Sequence, residues 1–212
     1  GYYAEYRTDD ARLTIETLKT AAQFGATLLN YAQVENLLYR DRVIGVRCKD
    51  LPGEDSFDVE GLCVVNAAGP WVDQLRHTDH SLYGKRLFLS KGVHIVVPRE
   101  RLPIRQAAYF DAPDGRMIFA IPRHRTTYIG TTDTPYEGDP DRISVLREDV
   151  EYLLDAANNM FPKAKLKIHD VESSWAGLRP LIYEEGKSAS EMSRKDEIFC
   201  SPTGLISIAG GK

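Results

Sequence analysis

The sequence has few cysteines, no cluster of basic residues and no long apolar run. Its three cysteines, Cys48, Cys63 and Cys200, lie far apart and form no Cys-x-x-Cys pair. We therefore expect neither a disulfide framework nor a zinc site, and a reducing, cytoplasmic setting fits best. The formal net charge is -4 without any block of Lys and Arg, which argues against a nucleic-acid partner. No apolar run reaches about 18 residues, so membrane contact is expected only through polypeptide outside this sequence.

Two glycine motifs of nucleotide-binding proteins are also missing. No Gly-x-Gly-x-x-Gly fingerprint opens the chain, so the usual pyrophosphate anchor of a dinucleotide-binding fold is absent. Residues 130–134 are rich in hydroxyl groups but lack the Gly-x-x-x-x-Gly-Lys arrangement, which makes an ordinary strand exit the better interpretation. The 212 residues, of which 42% are hydrophobic and 27% charged, suffice for one sizeable core or two small ones.

The predicted secondary structure follows from helix-capping residues, apolar periodicity and turn formers. The predicted helices lie at 10–24, 70–75 and 144–161, and the predicted strands at 1–6, 26–39, 42–49, from 57, 61–66, 86–98, 105–111, 117–122, 126–131, 168–178, 192–200 and 205–209. The run at 61–66 is almost unbroken in its apolar character, which predicts a central strand covered on both faces. The closely spaced strands from residue 86 onward predict an antiparallel sheet.

Cations stand at the ends of several predicted strands. Arg179 precedes a proline that fixes the backbone, Arg194 lies in the following polar stretch, and Lys212 comes directly after the last strand. Three cations that converge from separate strand ends would suit a phosphate group. The competing interpretation, which holds for most arginines, pairs them with surface carboxylates such as Glu184 or Asp196.

One histidine lies at a position that suits catalysis. His94 follows Gly92-Val93 near the start of a predicted strand, and an imidazole can accept a proton near neutral pH. A structural role is the commoner alternative for a single histidine. The two tryptophans, Trp71 and Trp175, are interpreted as packing residues rather than stacking platforms.

Six short motifs occur in a fixed order along the chain. They are DDARL at 9–13, NAAGPW at 66–71, KGVH at 91–94, IGTTD at 129–133, GLRP at 177–180 and IAGGK at 208–212. In order and spacing they resemble the family of FAD-dependent glycerol-3-phosphate dehydrogenases, over essentially the whole chain. The segment SSWAGLRP at 173–180 is similar to the corresponding segment in the enzymes of Bacillus-type bacteria.

The resemblance implies an oxidoreductase that converts sn-glycerol 3-phosphate to dihydroxyacetone phosphate, with hydride transfer from C2 to FAD and electrons passed to a membrane quinone. It implies that Arg179 and Arg194 bind the substrate phosphate, and that Lys212 and His94 are catalytic. The residues implied to line the FAD are Asn66, Ala67, Gly69, Trp71, Gly210 and Gly211.

The resemblance also implies a fold class and a division into domains. The expected class is α+β, derived from an α/β fold, with an antiparallel sheet that carries helices on one face. Residues 1–80 would be part of the FAD-binding domain with a β-hairpin insertion, 81–176 a substrate-binding cap, and 177–212 the return strands. The Rossmann unit and the C-terminal helical domain of the family do not occur in these residues.

We therefore expect the chain to be the centre of a longer enzyme, inactive and poor at binding FAD on its own. The enzyme is expected to be cytoplasmic and peripheral to the inner face of the cell membrane. Three alternatives remain from the sequence. They are an amino-acid oxidase of the same flavin superfamily, a glycerol-3-phosphate oxidase that uses oxygen, and a stand-alone binding module without a redox role. Two arginines with a lysine favour a phosphate over a carboxylate ligand.

Overall fold

The structure is a computed structural model that describes residues 1, 4, 8–184, 186 and 195–210. The predictions for Arg194, Gly211 and Lys212 lie outside the described residues. Among the helices of the described part, none is both long and apolar enough to cross a membrane.

The described residues form helices and three separate sheets. The helices are α1 (Asp10–Gln23), α2 (Val72–Thr78) and α3 (Arg147–Met160), with 3-10 turns at Gly69–Trp71, Pro140–Arg142 and Ile168–Asp170. The strands are β1 (Ala32–Tyr39), β2 (Val43–Asp50), β3 (Ser56–Glu60), β4 (Val65–Asn66), β5 (Leu87–Pro98), β6 (Ala108–Asp111), β7 (Met117–Arg123), β8 (Thr126–Gly130), β9 (Thr134–Pro135), β10 (Ser173–Ile182), β11 (Glu197–Cys200) and β12 (Ile206–Ala209). The strand orders are β1-β2-β3, then β10-β5-β8-β7-β6 with β9 beside β5, and β11-β12-β4.

The first helix and sheet follow from local sequence signals. The Asp9 side chain caps α1 by accepting a hydrogen bond from the backbone N of Arg12 (3.2 Å), as its position predicts. Strands β1, β2 and β3 pair antiparallel in chain order, so the predicted hairpin and third strand are confirmed. The first strand begins at Ala32 rather than at residue 26.

The largest sheet carries the main core on one of its faces. Side chains of β5, β7 and β8 pack there against α3 in a cluster that includes Val93, Ile95, Ile129, Leu153 and Ala157. Successive residues of a strand point to opposite faces, so the neighbours of these residues face away from α3. The predicted antiparallel sheet and the mixed helix and strand fold class are confirmed.

The third sheet contains the parallel pairing of a doubly wound fold. Strand β12 pairs parallel with β4 and antiparallel with β11. The prediction of a fully covered strand over 61–66 is wrong, because only Val65–Asn66 is strand and Leu62 is 92% exposed. An apolar run is buried only where other layers cover it, and the described residues supply a strand neighbour for β4 on one edge alone.

Three further boundaries differ from prediction. Helix α3 begins after Leu146 rather than near Ser144, because the Asp149 carboxylate accepts a hydrogen bond from the Leu146 backbone N (2.9 Å). Strand β10 starts at Ser173 and not at residue 168, where a 3-10 turn intervenes. The second helix, predicted at 70–75, runs from Val72 to Thr78 and buries Arg76. The division at residues 80 and 176 stays a prediction.

Candidate functional site

One face of the large sheet is turned away from α3 and carries the predicted site residues. On β10, Trp175, Gly177 and Arg179 alternate on this face, because the intervening Ala176 packs on the main core. Their partners across the strand pair on β5 are His94, Gly92 and Ser90, in that order. We call this surface the open face. The structure thus brings Arg179 and His94 together on the open face, as two predicted members of one site.

Arg179 is held rigidly on the open face. It is only 7% exposed, and its Nη2 donates to Thr131 Oγ1 (2.8 Å) while its Nη1 donates to the Thr132 carbonyl oxygen (3.2 Å). Nη1 also lies 3.3 Å from Asp133 Oδ1. Arg179 thus pairs with a carboxylate, as the competing interpretation expects, but the arginine is buried and its ion partner among the described residues is the half-buried Asp133.

Gly92 provides the space in which the guanidinium lies. A Cβ atom on Gly92 would come within 2.5 Å of Arg179 Nη2 and 2.7 Å of Cζ. The flat guanidinium therefore rests against the β5 backbone, with hydrogen-bond acceptors at its far edge. A cation fixed in this way loses little conformational entropy when it binds an anion. The sequence showed the glycine but gave no sign of which side chain it accommodates.

The loop that holds Arg179 is itself fastened to β5. Thr132 Oγ1 accepts a hydrogen bond from the Val93 backbone N (2.9 Å) and donates to the Lys91 carbonyl oxygen (3.3 Å). Ser90 Oγ donates to Asp133 Oδ1, so this carboxylate contacts both strands of the site. Residues 130–134 were predicted to be an ordinary strand exit. In the structure they are the support of the arginine, a role that depends on pairing distant in sequence.

His94 is oriented by an aromatic neighbour and by a glycine. Its ring stacks on Trp175 with 4.9 Å between centroids and an interplanar angle of 5°. On the adjacent strand, a Cβ atom on Gly130 would lie 2.2 Å from His94 Cδ2, so the imidazole occupies the space above that glycine. Tyr128 meets Trp175 edge to face at 5.2 Å. Trp175 is thus a stacking partner of the histidine, contrary to the interpretation of plain packing.

A buried ion pair lies behind the site, on the α3 side of the sheet. Lys91 Nζ and Asp149 Oδ2 are 2.6 Å apart, with side chains 7% and 9% exposed. The same carboxylate caps α3. This pair ties β5 to α3 directly beside Gly92. Lys91 belongs to the KGVH motif, but its pairing with Asp149 was not predicted, although a lysine inside an apolar strand is a signal for a buried charge.

The predicted cofactor-lining residues lie at the end of the parallel strand pair. Asn66 is 3% exposed, and its Nδ2 donates to the Val72 carbonyl oxygen (2.9 Å) and to Ser207 Oγ (3.1 Å). Asn66 therefore ties the loop after β4 to both α2 and β12. This loop contains Ala67 and Gly69, and it leads into the 3-10 turn that ends at Trp71.

The shape of this strand end fits an extended, flat ligand. In parallel strands the carboxyl ends share one edge, where α/β sheets bind cofactors, and Ser207 of β12 is in register with Asn66 of β4. Gly69 adopts a φ of 56°, and no described atom lies within 4 Å of a Cβ built on it. Small side chains and open space over the loop are the conditions under which a FAD molecule could contact the backbone.

Gly210 follows β12 at the same edge, and the protein itself requires a glycine there. Its φ is 79°, and a Cβ atom would come within 2.4 Å of the Lys195 carbonyl oxygen. Ile182 at the end of β10 packs with Val72 and Ala209, so the end of β10 adjoins the parallel strand ends. The roles predicted for Gly211, Lys212 and Arg194 lie outside the described residues. Within the described part, no group of three or more His, Cys, Asp or Glu side chains could hold a metal ion.

Comparisons with known proteins agree with this arrangement. The model of the family described as FAD dependent oxidoreductase matches residues 1–210. The chain is 54% identical over 213 residues to aerobic glycerol-3-phosphate dehydrogenase from Bacillus subtilis (strain 168), which covers 100% of this chain and 38% of that protein. The chain therefore spans well under half of the length of this curated relative.

Solved structures show the same fold. Glycerol-3-phosphate dehydrogenase from Bacillus halodurans, complexed with FAD, superimposes with a TM-score of 0.91 at 56% identity, over 99% of this chain and 40% of that one. Glycine oxidase from Bacillus cereus ATCC 14579 has a TM-score of 0.66 at 23% identity, over 93% of this chain and 49% of that one, which shows a shared fold alone. The family model matches this chain over nearly all of its 212 residues. This chain therefore belongs to the family of FAD-dependent oxidoreductases.

Proposed function

We propose that the full-length protein containing this chain oxidises sn-glycerol 3-phosphate to dihydroxyacetone phosphate with FAD as cofactor. The observation that carries the proposal is the buried, pre-oriented Arg179 guanidinium on the same face of the sheet as His94. The relative at 54% identity, named as an aerobic glycerol-3-phosphate dehydrogenase, supports the same substrate.

Arg179 would bind the phosphate group of the substrate. Its guanidinium presents a planar set of donors, and phosphate accepts such donors in pairs. The contacts to Thr131 and Thr132 hold the guanidinium in one orientation before a ligand arrives. Arg194 and Lys212, which lie outside the described residues, would add positive charge to the same anion. This set of cations favours a phosphate over the carboxylate of an amino-acid substrate.

His94 would accept the proton of the substrate's C2 hydroxyl group. The stack on Trp175 and the close approach to Gly130 fix the orientation of the imidazole on the open face. Bound FAD would accept the hydride from C2. Lys212 would stabilise the negative charge that develops as the alcohol is oxidised.

The residues after β4 and β12 would hold the cofactor. Asn66 fixes the loop through its two donated hydrogen bonds, while Ala67, Gly69 and Trp71 would line the bound FAD. Gly210 and Gly211 would approach it from the neighbouring strand.

The onward path of the electrons is a further part of the proposal. On the family resemblance, the electrons pass to a membrane quinone, and the enzyme works in the cytoplasm at the inner face of the cell membrane. Contact with the membrane would be made by polypeptide outside this chain. Reduction of a soluble quinone analogue without hydrogen peroxide formation supports this acceptor, whereas stoichiometric peroxide would assign an oxidase.

The role of Arg179 is tested by substitution in the full-length, FAD-loaded protein. Arg179→Ala is expected to raise the KM for glycerol 3-phosphate about 30- to 150-fold, because a charge-assisted pair worth about 2–3 kcal/mol is lost. Arg179→Lys keeps the positive charge but lacks the planar guanidinium, so its KM should lie between those of the wild type and Arg179→Ala. Steady-state kinetics measures both variants.

The matched control is Arg125→Ala, which removes an arginine whose side chain is 78% exposed and pairs with Glu172. The KM of this control should stay within about twofold of the wild type, since exposed pairs contribute about 0–1 kcal/mol. A KM equal for Arg179→Ala and Arg125→Ala would contradict the phosphate-binding role.

A further inference from the structure

Gly177 lies at the centre of the open face, yet the described residues give no structural reason for a glycine. It stands between Trp175 and Arg179 on β10 and opposite Gly92 on β5. Its φ lies outside the left-handed region, and a Cβ atom built on it would meet no described atom within 4 Å. Backbone conformation and packing would therefore both permit a larger residue there.

The space above Gly177 is bounded by the two groups assigned to the substrate. On one side is the stacked pair of Trp175 and His94. On the other is Arg179, whose guanidinium covers Gly92 rather than Gly177. Trp175 and Arg179 are four positions apart on β10, which separates their Cα atoms by about 13 Å, and Gly177 is the position between them on the same face.

We propose that Gly177 is a specificity-determining residue, and that its missing side chain leaves the room in which a phosphorylated three-carbon polyol lies. The ligand's phosphate group would contact Arg179, and its carbon chain would run over Gly177 towards His94. This inference rests on the proposed function, and it adds a steric limit that charge alone does not set. A side chain at this position would occupy part of the space above β10 and push the carbon chain of the ligand away from His94.

The test uses Gly177→Ala and Gly177→Val in the full-length, FAD-loaded protein. The KM for glycerol 3-phosphate should rise with side-chain size, by about tenfold or more for valine, as expected when a filled space is overpacked. Calorimetric titration with dihydroxyacetone phosphate, the proposed product, should show the same order of affinities without any turnover. The melting temperatures should match the wild type, because the new side chain contacts no described atom.

Gly61→Val provides the matched control. Gly61 is exposed beyond the end of β3, and a Cβ atom there meets only the Cys63 carbonyl oxygen, at 3.5 Å. This variant should keep wild-type KM and affinity. Inorganic phosphate, tested as a competitive inhibitor, needs Arg179 but little room over Gly177. Gly177→Val should therefore raise the inhibition constant of phosphate about threefold at most, well below the tenfold rise in KM expected for the polyol.

The inference is overturned if Gly177→Val binds dihydroxyacetone phosphate as tightly as the wild type does. It is also overturned if affinity and melting temperature fall together, since that result would make the glycine structural. A wild-type protein that neither oxidises glycerol 3-phosphate nor binds dihydroxyacetone phosphate would instead overturn the proposed function itself.

Discussion

Two glycines of the open face each accommodate one side chain that is proposed to bind or activate the substrate. Gly92 lies under the Arg179 guanidinium and Gly130 under the His94 ring. Close approach of a side chain to the backbone is a use of glycine that requires no unusual backbone angle. The sequence revealed both glycines and both polar residues, but not their pairing. The pairing depends on the register of β10 and β8 against β5, which short-range patterns do not determine.

Gly92→Ala should separate ligand binding from stability. The new Cβ atom would overlap the Arg179 guanidinium, which would have to leave its contacts with Thr131 and Thr132 at a cost of about 1–3 kcal/mol in the free energy of unfolding. The displaced guanidinium would no longer match the phosphate, and KM should rise about tenfold. Chemical unfolding and steady-state kinetics measure the two effects. Gly61→Ala is the control, and an unchanged KM for Gly92→Ala would show that the position of the guanidinium is unimportant.

Helix α3 supports the site from behind through a single carboxylate. Asp149 both caps the helix and pairs with Lys91 of β5. The sequence predicted the helix from its apolar face, and the structure confirms it. The cap was predicted at the wrong residue, because Asp149 reaches back one turn to the Leu146 backbone N instead of leaving that role to Ser144. Local pattern thus determines that a helix forms, while a contact with another element determines where it starts.

Asp149→Asn should destabilise the protein by about 3–5 kcal/mol, because the Lys91 ammonium would remain buried without a countercharge. Urea unfolding followed by circular dichroism measures the loss. Asp155→Asn, on an exposed position of the same helix, should change the free energy of unfolding by less than about 0.5 kcal/mol. Adding Lys91→Met to Asp149→Asn should restore part of the stability. Equal losses for Asp149→Asn and Asp155→Asn would contradict a structural role for the ion pair.

At the scale of the whole molecule, a second buried carboxylate joins elements that are far apart in sequence. Asp79 directly follows α2 and is 4% exposed. Its Oδ1 accepts hydrogen bonds from Tyr39 of β1 (2.9 Å) and from Thr203 before β12 (2.7 Å). Asp79 therefore connects the first and third sheets with α2. Burial alone would raise the pKa of Asp79, but the hydrogen bonds, led by the one from Thr203, outweigh it and lower the pKa.

The lowered pKa gives the Asp79 contribution a definite pH dependence. A carboxyl group whose pKa is lower in the folded state stabilises the fold above its ordinary pKa of 3.8 and loses that contribution as the pH falls further. Asp79→Asn should therefore lower the free energy of unfolding by about 1–3 kcal/mol at pH 7. The difference from the wild type should shrink well below pH 3.8. Urea unfolding at both pH values measures it, and a difference that grows in acid would refute the assignment.

The whole-molecule arrangement was predictable where the pattern was local. The hairpin, the antiparallel sheet and the order of elements follow from alternation and turn formers. The exposure of Leu62 and Val65 could not be predicted, because a sequence pattern indicates that a segment can be buried but not which layer covers it. The aromatic stack of Trp175 on His94 was missed for a related reason, since cross-strand neighbours are defined by register alone.

The central claim is that the site oxidises a phosphorylated polyol and not an amino acid or a free polyol. The most direct measurement is anaerobic mixing of the full-length, FAD-loaded protein with sn-glycerol 3-phosphate, glycerol or glycine, while the absorbance of oxidised flavin is recorded. Rapid bleaching is expected with sn-glycerol 3-phosphate alone, and slower bleaching at the same concentration in Arg179→Ala. Bleaching by glycine, or equal bleaching by glycerol and glycerol 3-phosphate, would contradict it.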